Sequence, residues 1–499
     1  MSEAAVQASL PRSAEAEPAP KPAMAGPDWA LLAAAALAVC AYLFGHAFFS
    51  GNLPGLGLAV SHWSVLLVLL AAARRRRRLR IRGNAGGILL LALSLLLGAW
   101  YAVYTDVVLR AMNLPVLALV TGQAVYALTG QKEWGLLSVR GFWAGFSGLF
   151  PGMFRHWAAP FRAVSADAPE KKRVLRDLLL SMCAAVPVLT VALVLLTSAD
   201  EVFGSFLRGG LDTMMNADGS AVLKVLMVLP MTLGLFSWMF GVLTRTPGTP
   251  ETGARGTDFP ALAAAVTLGS LDAVYAAFAA VQVRYLFLGT ESVRMAGGYA
   301  AYARSGFFQL AALACLTLLL IWPVLSAYRA HRAVRGLCVL TALLTVVIDA
   351  AAFVRMRMYI SAYGLSLLRV LTLWAMGMIL LSLLAVLIKA FRPSAAVSPV
   401  IAAVVLTSWV ALNYANIDRI VAADQVARYN AGKTEWKTVR RLITETSPDA
   451  IPAYALLEDG EAAEKAKAQI AEIYGKAGKK VALYDWGLNW RQAEAYRGK

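Results

Sequence analysis

Eleven tracts of mostly apolar residues recur along the chain, near residues 29–49, 55–73, 86–106, 112–129, 174–197, 221–243, 260–287, 306–326, 336–354, 369–389 and 398–414. At about 1.5 Å of rise per helical residue, a tract of about 20 residues spans the roughly 30 Å hydrocarbon core of a bilayer. Backbone amides in hydrocarbon must be paired within the protein, so only helices and closed barrels cross it. Long unbroken apolar runs select helices. The predicted fold class is therefore an all-α integral membrane protein, a bundle of about eleven transmembrane helices followed by a small C-terminal helical domain. Composition agrees: 59% of residues are apolar and 15% charged, against about 25% charged in a soluble protein.

The sequence divides into three parts. Residues 1–28 are rich in Ala, Pro and Glu without periodicity and are predicted to be a disordered N-terminal tail. They lack the basic start of a signal peptide, so the first apolar tract is expected to be retained. Residues 29–415 form the polytopic transmembrane part, with an amphipathic, aromatic and basic segment at 134–164 that suits either the membrane interface or the underside of the bundle. Residues 416–499 are charged and amphipathic, with short helices predicted near 416–430, 435–445, 449–457, 461–475 and 489–497. Gly432 is placed to end the first of these, and Ser447-Pro448-Asp449 to open the third with a cap and a proline.

The net charge of +17 belongs almost wholly to the membrane part. With the N-terminus cytoplasmic, most Lys and Arg fall in inner connections, including the run Arg74 to Arg78 and the group Lys171, Lys172 and Arg173. The positive-inside rule then puts the C-terminal domain outside. This basicity points to lipid headgroups; no aromatic-and-basic nucleic-acid motif is present. No H-E-x-x-H, G-x-S-x-G or P-loop occurs, and no catalytic residue is assigned. Neither the four cysteines nor the four histidines have metal-ligand spacing, so no metal or cofactor is expected.

Two connections carry more than turn residues. The first runs from Gln282 through Arg284 and Tyr285 to Tyr302 and Arg304. The second holds Arg355, Arg357, Tyr359, Tyr363 and Arg369. Within the spans, Asp272 and Asp349 are ionisable residues that need a partner or a role. In one reading the aspartates pair with arginines of neighbouring helices and fix the packing. In the other the arginines converge on an anionic group, the tyrosines line its site, and Asp272 or Asp349 balances charge or carries a proton.

Several motifs together resemble an uncharacterised bacterial multi-pass membrane family, a domain of unknown function of the 4153/4173 type. They are Gln282-x-x-Tyr285-Leu286-Phe287, Tyr299-Ala300-x-Tyr302-Ala303-Arg304-x-Gly306, and Arg355-Met356 with Tyr359, Tyr363-Gly364-Leu365-Ser366 and Arg369. Later come Asn416-x-Asp418, Ser447-Pro448-Asp449-Ala450-x-Pro452 and Asp485-Trp486-x-x-Asn489. The resemblance covers residues 175–499 and implies a bacterial cytoplasmic-membrane protein, with no activity attached. The expected function is recognition or translocation of an anionic lipid or lipid-linked group at the outer leaflet. The alternative is a non-catalytic scaffold or sensor whose residues 416–499 bind a protein partner.

Overall fold

The computed structural model describes residues 24, 28–45, 54–76, 78–129, 152–164, 217–244, 260–282, 307–328, 331–395, 397–475, 486–489 and 491–492. Among them are helices and no strands. The membrane part contains α1 (Asp28–Gly45), α2 (Leu56–Arg75), α3 (Ala85–Val103), α4 (Val107–Leu128), the short α5 (Ala159–Val164) and α6 (Ala217–Thr244). It continues with α7 (Ala261–Gln282), α8 (Phe307–Ala327), α9 (Arg332–Tyr363), α10 (Leu367–Phe391) and α11 (Val397–Tyr414). Ten of these are long and apolar enough to cross a bilayer. They coincide with ten of the eleven expected spans; the tract at 174–197 lies outside the described residues. The chain is a multi-pass membrane protein.

The helices start where the sequence supplies caps. Asn84 accepts the Gly87 N–H, Asp106 the Leu109 N–H at 2.7 Å, and Ser366 the Arg369 N–H. Each oxygen satisfies an amide that has no partner inside its own helix. α9 is 32 residues long, or about 48 Å, well beyond the hydrocarbon thickness. Arg355 to Tyr363 therefore continue a helix, where the sequence predicts a connection. It ends only at Gly364, whose φ of +74° a side chain would strain.

Two sub-bundles emerge among the described helices. In one, α1, α2 and α6 pack through Leu31, Leu69, Phe236 and Phe240. In the other, α7, α8, α9 and α10 share two apolar clusters. Leu268, Ile321, Cys338 and Leu383 meet at one end, and Tyr275, Leu310, Met356 and Met376 at the other. α7 and α9 thus run parallel, with α8 and α10 opposed. α11 packs on both α3 and α10 and joins the halves, with Trp100, Leu117, Trp409 and Val410 in one cluster.

After Tyr414 come α12 (Ile417–Asn430), α13 (Trp436–Glu445), a 3-10 turn (Pro448–Ala450), α14 (Ile451–Tyr454) and α15 (Gly460–Ile470), which ends in a π-turn (Ala471–Gly475). Val426, Val439, Ile443, Tyr454, Ala466 and Ile470 give these helices an apolar core of their own. Gly432, at φ +66°, terminates α12, with the Lys433 N–H returning to the Arg428 carbonyl. Of the expected last helix, only residues 489 and 491–492 are described.

Candidate functional site

The C-terminal helices are bound to one end of the bundle at two points. The first is the turn between α9 and α10. Gln425 Nε2 on α12 donates to the carbonyls of Tyr363 (2.9 Å) and Leu365 (3.0 Å). The Asp424 carboxylate accepts the Leu365 N–H at 2.7 Å, and Arg428 donates to the Ser361 and Ala362 carbonyls. Four carbonyls, three at the end of α9 and one in the turn, and one turn amide thus find partners on another element.

The second point is the turn between α3 and α4. One Asp449 carboxylate oxygen accepts the N–H of Thr105 at 2.8 Å and of Asp106 at 3.2 Å, and the other accepts the Thr105 hydroxyl. Asp418 accepts both the N–H and the hydroxyl of Ser447, and its carboxyl hydrogen-bonds that of Asp106. Ser447 therefore serves Asp418 and does not cap the turn after it. All three aspartates are buried. Burial, then the neighbouring Asp418, pushes the Asp106 carboxyl up to about 7. Burial also raises Asp449, against hydrogen bonds from Thr105 and Asn489. Nearby, buried Arg110 donates to the Tyr101 and Tyr104 carbonyls. The chain beyond α15 adds further ties: Leu56 N–H to Trp486 O, and Leu488 and Asn489 N–H to Ala102 and Val103 O.

These contacts put the turns at 104–106 and 361–366, and the start of α2, at the same end as the C-terminal helices. Tyr275 and Leu310 cluster with Met356, so the end of α7 and the start of α8 lie there too. The basic residues Arg74, Arg75, Arg332, Arg335, Lys389 and Arg392 occupy the opposite helix ends.

Of the candidate residues, Arg284, Tyr285, Tyr302 and Arg304 lie outside the described residues, as does the side chain of Gln282. Tyr359, Tyr363 and Arg369 come together. The Arg369 guanidinium sits 4.2 Å over the Tyr359 ring and 5.9 Å from the Tyr363 centroid, and the two rings meet edge to face at 5.2 Å. Its Nη1 donates to the carbonyls of Gly364 and Tyr363 and so caps the end of α9. Arg355 is buried one turn below Tyr359. Arg357 is exposed and, two residues along, about 200° around the helix from Arg355. Arg355 and Arg357 do not face a common point. Asp272 is buried between α7 and α9, where it accepts from the Thr341 hydroxyl at 2.6 Å; Asp349 is buried on α9. Neither forms an ion pair among the described residues. A cavity of about 290 Å³ lined by Leu268, Leu320, Pro323 and Tyr328 lies at the far end of the bundle and is apolar.

Sequence reasoning missed Asp424, Gln425, Arg428, Arg110 and the role of Asp449. Only Asp449 had a pointer, through the motif Ser447-Pro448-Asp449. Three of the motifs that carry the resemblance build the joint: Tyr363-Gly364-Leu365-Ser366 is the clamped turn, and Asn416 and Asp418 of one motif and Asp449 of another hold the other. Gly364 has no room for a Cβ beneath Gln425, Asp424 and Arg428.

No curated protein and no solved structure matches the chain. The family described as "Domain of unknown function (DUF4153)" matches residues 86–457. That range begins earlier than the resemblance suggested and takes in α3 and α4, whose connecting turn Asp449 grips. Covering well over half of the sequence, from α3 through both grips, it shows that the chain belongs to the DUF4153 family.

Proposed function

We propose that this protein recognises the headgroup of an anionic amphiphile, a lipid or lipid-linked group, at the membrane surface where its C-terminal helices sit. The observation that carries the reading is Arg369 stacked on Tyr359. One guanidinium nitrogen is committed to the helix end. The other N–H groups have no partner among the described residues. An arginine fork of this kind suits a phosphate or carboxylate, and half-exposed Tyr363 beside it suits a glycerol or sugar. Arg74, Arg75, Arg76 and Arg78 at the opposite end support a cytoplasmic N-terminus and an outer-face site.

A second reading is favoured by the grip of Asp424, Gln425 and Arg428 on the turn at 361–366. A unit held this firmly would present a fixed surface to a protein partner, and the arginine would only pin the helix end.

The test is native mass spectrometry of the detergent-purified protein offered anionic and zwitterionic lipids in equal amounts. Wild type is expected to retain the anionic lipid preferentially. Arg369→Ala should lose that preference several-fold and Arg369→Lys keep part of it, because an ammonium retains the charge but not the fork. An unchanged preference in Arg369→Ala would contradict the headgroup reading.

A further inference from the structure

We infer that a cleft between α8, α9 and α10, at the membrane face opposite the C-terminal helices, binds the phosphate of an anionic glycerol-headgroup phospholipid through Arg335 and Lys389. The cleft lies at the other end of the bundle from Arg369 and does not depend on that site.

Leu325, Val334 and Ala390 join the ends of the three helices in one apolar cluster. Leu325 and Ala390 also line a cleft with Ser326, Arg335, Lys389 and Pro393. Arg335 stands in the first turn of α9 and Lys389 in the last turn of α10. These are the helix ends, where hydrocarbon gives way to headgroups.

Charge carries the inference. Two cations line one cleft, and no carboxylate of the three helices is within reach. Neither α8 nor α10 contains an acidic residue. Asp349, the acid of α9, stands about 21 Å along the helix from Arg335. Among the described residues neither cation forms an ion pair. Lys389 donates one N–H to the Ala395 carbonyl at 2.8 Å and keeps two. A cation in a first helical turn faces the positive end of the helix dipole, so Arg335 does not serve α9. Arg332 and Arg392, at the same helix ends, are exposed to water, whereas Arg335 and Lys389 are half-buried. Two like charges in a partly desolvated cleft repel until an anion joins them.

The surroundings fit a lipid better than a free ion. A guanidinium fork takes two oxygens of a phosphate, and an ammonium a third. Ser326 spends its hydrogen on the Trp322 carbonyl at 2.9 Å and keeps its lone pairs for a headgroup hydroxyl such as a glycerol carries. About two turns deeper on the same side of α8, Leu319 is 73% exposed. It offers an acyl chain a path below the phosphate, which a soluble anion would not need. Basic pockets between membrane helices hold anionic headgroups in this manner.

The experiment is photo-crosslinking of the full-length protein from a benzophenone amino acid replacing Leu319, in nanodiscs of phosphatidylglycerol and phosphatidylcholine in equal amounts, with adducts identified by mass spectrometry. Phosphatidylglycerol adducts are expected to exceed phosphatidylcholine adducts several-fold. Arg335→Ala combined with Lys389→Ala should bring the two to parity, and Arg335→Lys should keep part of the preference. If the alanine variant does not fold, Arg335→Gln removes the charge at similar length and should show the same loss. Arg369→Ala should leave the preference unchanged. Parity in the wild type would overturn the inference, as would a preference that survives loss of both cations or disappears in Arg369→Ala. A preference abolished by excess inorganic phosphate would also overturn it, by assigning the cleft to a soluble anion.

Discussion

The Asp449 carboxylate accepts the backbone N–H of Thr105 across 344 residues of sequence, at 2.8 Å. It holds the α3–α4 turn the way a capping residue holds its own helix, but from another part of the chain. Asp449→Ala would strand two buried amides and a hydroxyl. A loss of roughly 3 kcal/mol is expected, since hydrogen bonds to a charged group are worth about 1.5–3 kcal/mol. Thermal unfolding in detergent, with limited proteolysis of residues after Tyr414, measures it. Unchanged melting and protease resistance would contradict this role.

Gly364 is the residue on which the other grip depends. Its positive φ and the closeness of Gln425 and Asp424 leave no place for a Cβ. Gly364→Ala is expected to destabilise by roughly 2 kcal/mol or more, from left-handed strain plus displacement of α12. Gln425→Ala should cost less, about 1–2 kcal/mol, because it removes two hydrogen bonds without forcing the backbone. The order of the two variants in chemical unfolding is the check.

The joint is expected to weaken as pH rises. In the folded protein Asp106 is held near 7, above its ordinary 3.8, by burial and by Asp418. A carboxyl raised on folding binds its proton more tightly in the folded state. Its contribution is full below about 4 and is lost as pH climbs through 7. Protease release of the C-terminal helices should therefore increase between mildly acidic and mildly alkaline pH. Asp418→Asn, which removes the neighbouring charge, should flatten that dependence.

Within the bundle, Asn113 donates to Asn413 Oδ1 at 2.7 Å and accepts the Trp409 indole N–H at 2.8 Å, while the Trp100 indole donates to the Asn413 carbonyl. These bonds tie α3 and α4 to α11. Asn113→Ala is expected to lower stability by about 1 kcal/mol, since interhelical hydrogen bonds in membranes average about 0.6 and reach about 1.7 kcal/mol. Unfolding in mixed micelles measures it.

The apolar tracts were legible because length and hydropathy decide a membrane helix almost alone. The extent of α9 was not. Arg355, Arg357 and Tyr359 read as a connection because they are polar, yet they continue the helix, which stops only at Gly364. The joint was less legible still. Nothing near Asp449 or Gln425 in sequence announces a partner more than sixty or three hundred residues away. The family motifs marked these positions without their meaning. Arg369 serves the docked turn and stacks on Tyr359 together, so its two uses could be separated only in three dimensions.

The measurement to make is photo-crosslinking in native membranes from a benzophenone amino acid replacing Tyr363, which is half exposed beside Arg369. The expected product is an adduct with an anionic lipid or lipid-linked group, identified by mass spectrometry and lost when Arg369→Ala is added. An adduct with a protein, or a lipid adduct indifferent to headgroup charge and to Arg369, would contradict headgroup recognition at this end of the bundle.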